Sequence, residues 1–171
     1  VWFALSMVGL RQTITLAAFL AASALPSAVI AQEQASPWGT SCISLGRDTA
    51  PQCSMNHAVF IEQTGQVLFN VTVRIPIDAG QEPYLDIVAP LGFYLVGGLT
   101  MTVATAPFAK LPIVRCDANG CYAGVVLSKD QLSQLKQGET LSIMFAPKAG
   151  QSAQVDVPLK GFTTSFDVIN H

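Results

Sequence analysis

Val114-Arg115-Cys116-Asp117-Ala118-Asn119-Gly120-Cys121-Tyr122 sets two cysteines around four turn-forming residues, with apolar, strand-like runs on either flank. Asx side chains bond to nearby backbone and tolerate left-handed dihedrals, and glycine has no Cβ to clash there, so the stretch predicts a tight reversal. Leu111 to Cys116 and Cys121 to Leu127 are its two strands. Residues that close such a loop face each other at a separation that a disulfide spans. The reading is therefore a covalently stapled hairpin, and that requires an oxidising compartment.

The N-terminal residues supply a route to one. Arg11 gives a short basic region, Ile14 to Leu25 is apolar apart from Thr15 and Ser23, and Val29-Ile30-Ala31 ends with small residues at −3 and −1. Residues 1–31 read as a secretory signal peptide cleaved before Gln32. A transmembrane anchor needs about 20 apolar residues, and Pro26 interrupts this run, so no span is expected after cleavage. Polar residues 32–37 form a linker, and 38–171 form one domain. Removing 31 of 171 residues leaves 140, enough to bury a full core.

All eleven acidic residues follow Ala31, whereas Arg11 departs with the signal, so eight basic residues remain and the mature net charge is −3. Nucleic-acid binding needs a basic stripe that is missing here, and docking on anionic lipid is equally disfavoured. The four cysteines Cys42, Cys53, Cys116 and Cys121 all survive cleavage, and an even count in an exported chain implies disulfides with three possible connectivities. Local pairing, Cys42 with Cys53 and Cys116 with Cys121, is expected because each intervening segment carries turn residues. Loop closure makes these bonds worth about 3 and about 2 kcal/mol. Neither pair has the spacing of a CxxC redox motif or the partner histidines of a zinc site.

The period of the remaining chain is mostly two. In Val67 to Ile75, apolar Val67, Phe69, Val71, Val73 and Ile75 alternate with Asn70, Thr72 and Arg74, which predicts a half-buried strand. Further strands are expected at Met55 to Glu62, Tyr84 to Ala89, Leu99 to Val103 (closed by Pro107), Thr140 to Ala146 and Ala153 to Leu159, with a turn at Asp78 to Gln81, and Phe93 to Val96 is a short apolar run before Gly97-Gly98. Ser128 as N-cap, Leu132 and Leu135 three apart, and Gly138 as stop predict one short helix. Phe162, Phe166 and Ile169 fit a C-terminal helix, although Thr163, Thr164 and Val168 suit a strand equally well. Seven to nine short strands without βαβ alternation indicate an antiparallel β-sandwich, hence an all-β fold.

Chemistry-bearing motifs are scarce. His57 and His171 are the only histidines and stand far apart, and His57 is expected at the surface of a strand. No Gly-x-Ser-x-Gly elbow, phosphate loop or His-Glu-x-x-His helix occurs. Asp117 to Gly120 has the beginning of a calcium loop without its later ligands. Asp86, Asp156 and Asp167 are carboxylates that an acid/base pair would have to draw on. Asn70-Val71-Thr72 matches a glycosylation acceptor, but inside a strand. No catalytic residue, metal ligand or cofactor is expected.

Taken in order, Trp38-x3-Cys42, Cys53, Ala89-Pro90-Leu91-Gly92, Gly98-Leu99, Val114-Arg115-Cys116-x3-Gly120-Cys121 and Lys160-Gly161-Phe162 resemble the invasion-associated locus B family of exported bacterial proteins. The resemblance covers essentially the whole mature chain. It implies an immunoglobulin-like β-sandwich in the periplasm or at the outer surface of a Gram-negative bacterium, linked in some members to host-cell invasion, with no catalytic residues and no cofactor. Beside it, Trp38 and Phe162 are expected to pack the two ends of the core, and the Pro90-Leu91-Gly92 corner to carry the chain between sheets. The functional reading is a non-enzymatic envelope protein with a protein or envelope partner. Its expected contact surface is the rigid loop Asp117, Ala118, Asn119 and Gly120, since a stapled loop needs no further ordering on binding. The competing reading is an envelope hydrolase acting on cell-wall or surface carbohydrate, which requires a cleft holding His57 or two carboxylates about 5 to 9 Å apart.

Overall fold

The computed structural model describes residues 36–170 except 45, 48, 77–79 and 81. The expected signal peptide, linker residues 32–35, His171 and most of the turn at 78–81 lie outside the described residues.

Alternation along the strands sorts side chains into two faces, and the buried faces meet. In β3 (Val67–Arg74) Phe69, Val71 and Val73 are buried, and in β4 (Tyr84–Ala89) Leu85, Ile87 and Ala89 are buried beside them. A six-stranded antiparallel sheet is ordered β1 (Gly39–Ile43), β2 (Gln52–Phe60), β3, β4, β8 (Gly120–Val126), β7 (Arg115–Asp117). A four-stranded antiparallel sheet is ordered β10 (Ala153–Pro158), β9 (Thr140–Phe145), β5 (Leu99–Val103), β6 (Ala106–Leu111). Leu99, Met101, Leu141 and Ile143 on its inner face complete the core. The class is the expected one, an antiparallel β-sandwich with two short helices.

Several local expectations are corrected. Pro107 does not close β5 but lies within β6, opposite Thr102 where the pairing shifts register. β6 is an edge strand, and an edge or a bulge is where a strand tolerates a residue without an N–H. In the short apolar run Phe93 to Val96, Tyr94 makes a single bridge to Ala146, and Leu95–Gly97 is a 3-10 turn. The run predicted from Leu111 to Cys116 is divided between β6 and β7, in different sheets.

Helix α1 (Lys129–Gln137) starts as the sequence predicts. Ser128 Oγ accepts from the Gln131 N–H, and the Gln131 side chain returns to the Ser128 N–H, a capping box that satisfies two orphan donors. Helix α2 (Phe162–Ile169) resolves the ambiguity at the C-terminus, because Phe162, Ser165, Phe166 and Ile169 share its buried face. That face packs on β1 and β2 and on α1. Trp38 and Phe162 do not pack opposite ends of the core. Their rings meet edge to face at 5.1 Å, while Trp38 Nε1 donates to Pro158 O at 2.9 Å and Ser165 Oγ donates to Trp38 O at 3.0 Å. The residue before β1 is thus clasped to both the end of β10 and α2.

Both disulfides are the local ones, Cys42–Cys53 and Cys116–Cys121, each with Cα atoms 4.0 Å apart. Each joins directly opposed residues of an outermost strand and its inner neighbour. Cys116→Ser is expected to destabilise by about 2 kcal/mol under oxidising conditions and leave Cys121 free to mispair. Equal melting temperatures for variant and parent would remove the structural role of that bond. Trp38→Ala is expected to cost about 3 to 5 kcal/mol, and Trp38→Phe, which loses chiefly one hydrogen bond, about 1 kcal/mol; denaturant melts would show the two steps.

Candidate interaction surface

The hairpin tip is narrower than its sequence suggests. Asp117 pairs with Gly120, so the reversal itself is only Ala118 and Asn119. Gly120 has φ 147°, and a Cβ there would stand 2.6 Å from Ala89 O, so glycine lets the turn lie against β4. Asp117 is occupied by the turn. Its Oδ1 accepts from the Asn119 N–H at 2.8 Å and the Tyr122 hydroxyl at 3.1 Å, and its Oδ2 accepts from Arg115 at 2.6 Å. The Arg115 guanidinium lies 3.7 Å above the Tyr122 ring. The Asn119 N–H, the largest influence, together with Arg115 and Tyr122, holds the Asp117 carboxyl below its ordinary value. Of the four expected contact residues, only Ala118 and Asn119 are exposed with no side-chain bond to hold them.

Register shows what surrounds this tip. Phe60 faces Val67 at the β2–β3 turn, Val88 faces Asn70, and Ala89 faces Cys121. The β2–β3 turn, the β4–β5 connection and the β7–β8 tip therefore emerge at one end of the sandwich. The connection that follows β4 is the apolar part of that end. Leu91, Tyr94, Leu95 and Val96 are exposed, Val96 by 82%, and Phe60 and Val67 are exposed beside them. Phe93 points the other way, its ring edge to face with Phe145 at 6.3 Å, and Phe145 in turn meets Phe69 of the core at 5.1 Å. With the Tyr94 N–H donating to Ala146 O at 2.9 Å, the connection is fastened at its centre and its apolar side chains are held outward. A groove of about 450 Å³ lined in part by Val67, Asn70, Pro90 and Asn119 runs between the start of β3, the end of β4 and the hairpin tip. Asn70 Oδ1 is buried and has no hydrogen-bond partner among the described residues.

Sequence reasoning missed this patch because it placed the contact surface on the stapled loop and gave Phe93 to Val96 no role beyond a short apolar run. The available signal was the lack of alternation in Leu91-Gly92-Phe93-Tyr94-Leu95-Val96 between a proline corner and a glycine pair.

The outer face of the six-stranded sheet is polar. A trough of about 400 Å³ crosses it, lined in part by Ile43, Thr72, Arg74, Asp86, Arg115 and Tyr122. Arg74 pairs with Asp86 at 2.9 Å and lies over the Tyr84 ring. Tyr84 lies flat because its diagonal neighbour is Gly124, where a Cβ would meet the ring. Burial raises the Asp86 carboxyl above its ordinary value, more than Arg74 lowers it.

The other candidate groups are apart. The His57 ring is half-buried against Trp38, with Nδ1 donating to Pro37 O at 3.0 Å. Asp86 is on β4, Asp156 on β10 accepting from Ser142 Oγ at 2.7 Å, and Asp167 on α2 paired with Lys136 at 3.0 Å. Among the described residues no group of three or more His, Cys, Asp or Glu side chains is placed to hold a metal ion, and no helix is long and apolar enough to cross a membrane.

Fold and surface together define a two-sheet antiparallel sandwich, stapled at both margins of its larger sheet, with an apolar loop end. The family model described as "Invasion associated locus B (IalB) protein" matches residues 38–170, and the chain belongs to that family. Among solved structures it is similar to the invasion associated protein B of Bartonella henselae, with TM-score 0.66 and 19% identity over 78% of this chain and 90% of that one. At that identity the likeness concerns the fold. No curated protein matches the sequence.

The two perturbed carboxylates have opposite linkage. Asp117, held low, contributes stability that is present above the ordinary value of 3.8 and lost as pH falls through its depressed folded value. Asp86, raised, contributes stability that is present below 3.8 and lost as pH rises through its folded value. At pH 7, Asp117→Asn should melt below the parent and Asp86→Asn above it, with both differences closing in acid. Thermal melts across pH check this, and shifts of the same sign at pH 7 would contradict it.

Proposed function

We propose that this chain is an exported, non-enzymatic envelope protein that docks a protein partner through its apolar loop end. The observation that carries the reading is the outward-held set Leu91, Tyr94, Leu95 and Val96, fastened to the core through Phe93. Apolar side chains kept in water on a braced segment cost free energy that a partner surface recovers, and bracing lowers the ordering cost of binding. Ala118 and Asn119 at the hairpin tip extend the same surface across the groove. Export is supported by the signal pattern in residues 1–31 and by two disulfides, which persist in an oxidising compartment. Family membership supports an envelope role, and the word "invasion" in the names of the family and of its Bartonella henselae member supports a partner met at the cell surface.

The carbohydrate-hydrolase reading draws no support from the geometry. His57 packs on Trp38, and Asp86, Asp156 and Asp167 occupy three separate elements, each engaged with a neighbour.

The test is cross-linking in intact cells followed by capture of this protein, comparing the parent with a Leu95→Asp/Val96→Asp double variant. The expected result is a defined adduct for the parent that falls at least tenfold in the variant. Both side chains are exposed, so the melting temperature should be nearly unchanged. An adduct of equal yield in the variant would refute the loop end as the docking surface.

A further inference from the structure

Four strands end the two sheets, and three carry residues that oppose further pairing. β6 has Pro107 and Lys110, β7 has Arg115 and Asp117, and β10 has Asp156 and Pro158. Charges and prolines on an outermost strand discourage the addition of another. β1, Gly39-Thr40-Ser41-Cys42-Ile43, has neither, and all five of its residues are exposed. Among the described residues no strand pairs with its far side.

The backbone groups on that far side can be identified. Opposed residues of an antiparallel pair that are about 4.5 Å apart do not exchange hydrogen bonds, whereas those about 5.5 Å apart do. Cys42 and Cys53 are 4.0 Å apart, and the Cys53 carbonyl accepts from Ile75 N–H, toward β3 and away from β1. Cys42 therefore directs its N–H and C=O away from β2, and by alternation so does Thr40, while Gly39, Ser41 and Ile43 bond toward β2. The disulfide fixes this strand in place, so its free edge is already ordered.

We propose that β1 is a self-association edge, pairing antiparallel with β1 of a second copy about a two-fold axis at Ser41. Three features of the strand select that occupant over an arbitrary peptide. Under this axis Thr40 faces Cys42 of the other copy twice, so both free N–H and both free C=O groups of each strand are satisfied, giving four hydrogen bonds between the copies. The same register sets Ile43, 63% exposed on the outer face, across from the other copy's Gly39, where there is no side chain to obstruct it. Finally, the five residues carry no charge, so the strand does not repel its own copy. The product is a continuous sheet in which the two outer-face troughs, each bounded by Ile43, adjoin at the axis. Five residues a side bury less than the roughly 1,200 Å² of a stable interface, so the dimer is a weak one, with Kd between about 10 μM and 1 mM.

Sedimentation of the protein, expressed as the full chain and purified from the periplasm, tests this over about 10 μM to 1 mM, the Kd range given above. The parent should rise from monomer mass to at least about one and a half times that mass at the upper end, as the weaker limit of that Kd range requires. Ser41→Lys brings two like charges together at the axis, keeps the backbone bonds to β2 and loses only the exposed, 3.4 Å hydroxyl contact with Ser54, so it should stay monomeric with a nearly unchanged melting temperature. Thr40→Pro, which removes a donor only from the free edge, should weaken association at least tenfold. The Leu95→Asp/Val96→Asp variant should dimerise like the parent, which separates this edge from the loop end. A parent that is monomeric throughout, a Ser41→Lys variant that dimerises undiminished, or a dimer abolished only by the loop-end variant would overturn the proposal.

Discussion

Two sheets of unequal width cannot cover each other, and much of this structure follows from that mismatch. Six strands lie over four, so the margins of the larger sheet extend past the core. β1 and β7 are exposed at every residue, and neither has an apolar face to hold it in place. Burial stabilises strands in proportion to the apolar area removed from water, and here that contribution is close to absent. Each marginal strand is instead held covalently to its neighbour, β1 through Cys42–Cys53 and β7 through Cys116–Cys121. The two bonds do the same job at opposite sides of one sheet, each tying an exposed cysteine of the marginal strand to a more buried one of its neighbour.

The overhang beneath β1 and β2 is filled from the other end of the chain. α2 inserts Phe162, Phe166 and Ile169 there, and Trp38 joins it by ring contact and hydrogen bond. Residues more than a hundred positions apart thus close one margin together.

Function then falls to what the scaffold leaves outside. The hairpin tip is rigid, but its most polar side chain, Asp117, is consumed in making it rigid. The adjoining β4–β5 connection has the opposite arrangement: one aromatic, Phe93, is used for attachment, and four apolar neighbours are left in water. Anchoring and presentation are divided between neighbouring residues, and the division rests on which of them happens to face Phe145.

Alternation in Val67 to Arg74, Tyr84 to Ala89 and Leu99 to Val103 was enough to establish antiparallel strands and an all-β class, because period two is a local property of the chain. The Ser128 cap of α1 and the turn residues between the cysteines were legible for the same reason. The family was likewise legible from the ordered landmarks between Trp38 and Phe162. Which strands share a sheet was not, and so Pro107, which lies within β6, reads locally as an ending. Nor could sequence place Trp38 against Phe162, or bring Phe60, Val67 and Leu91 to one end beside the hairpin tip. Sequence determines where the chain extends, turns and is stapled, since those depend on near neighbours. Only the tertiary structure decides which apolar residues find a cover, because that depends on how the unequal sheets overlap.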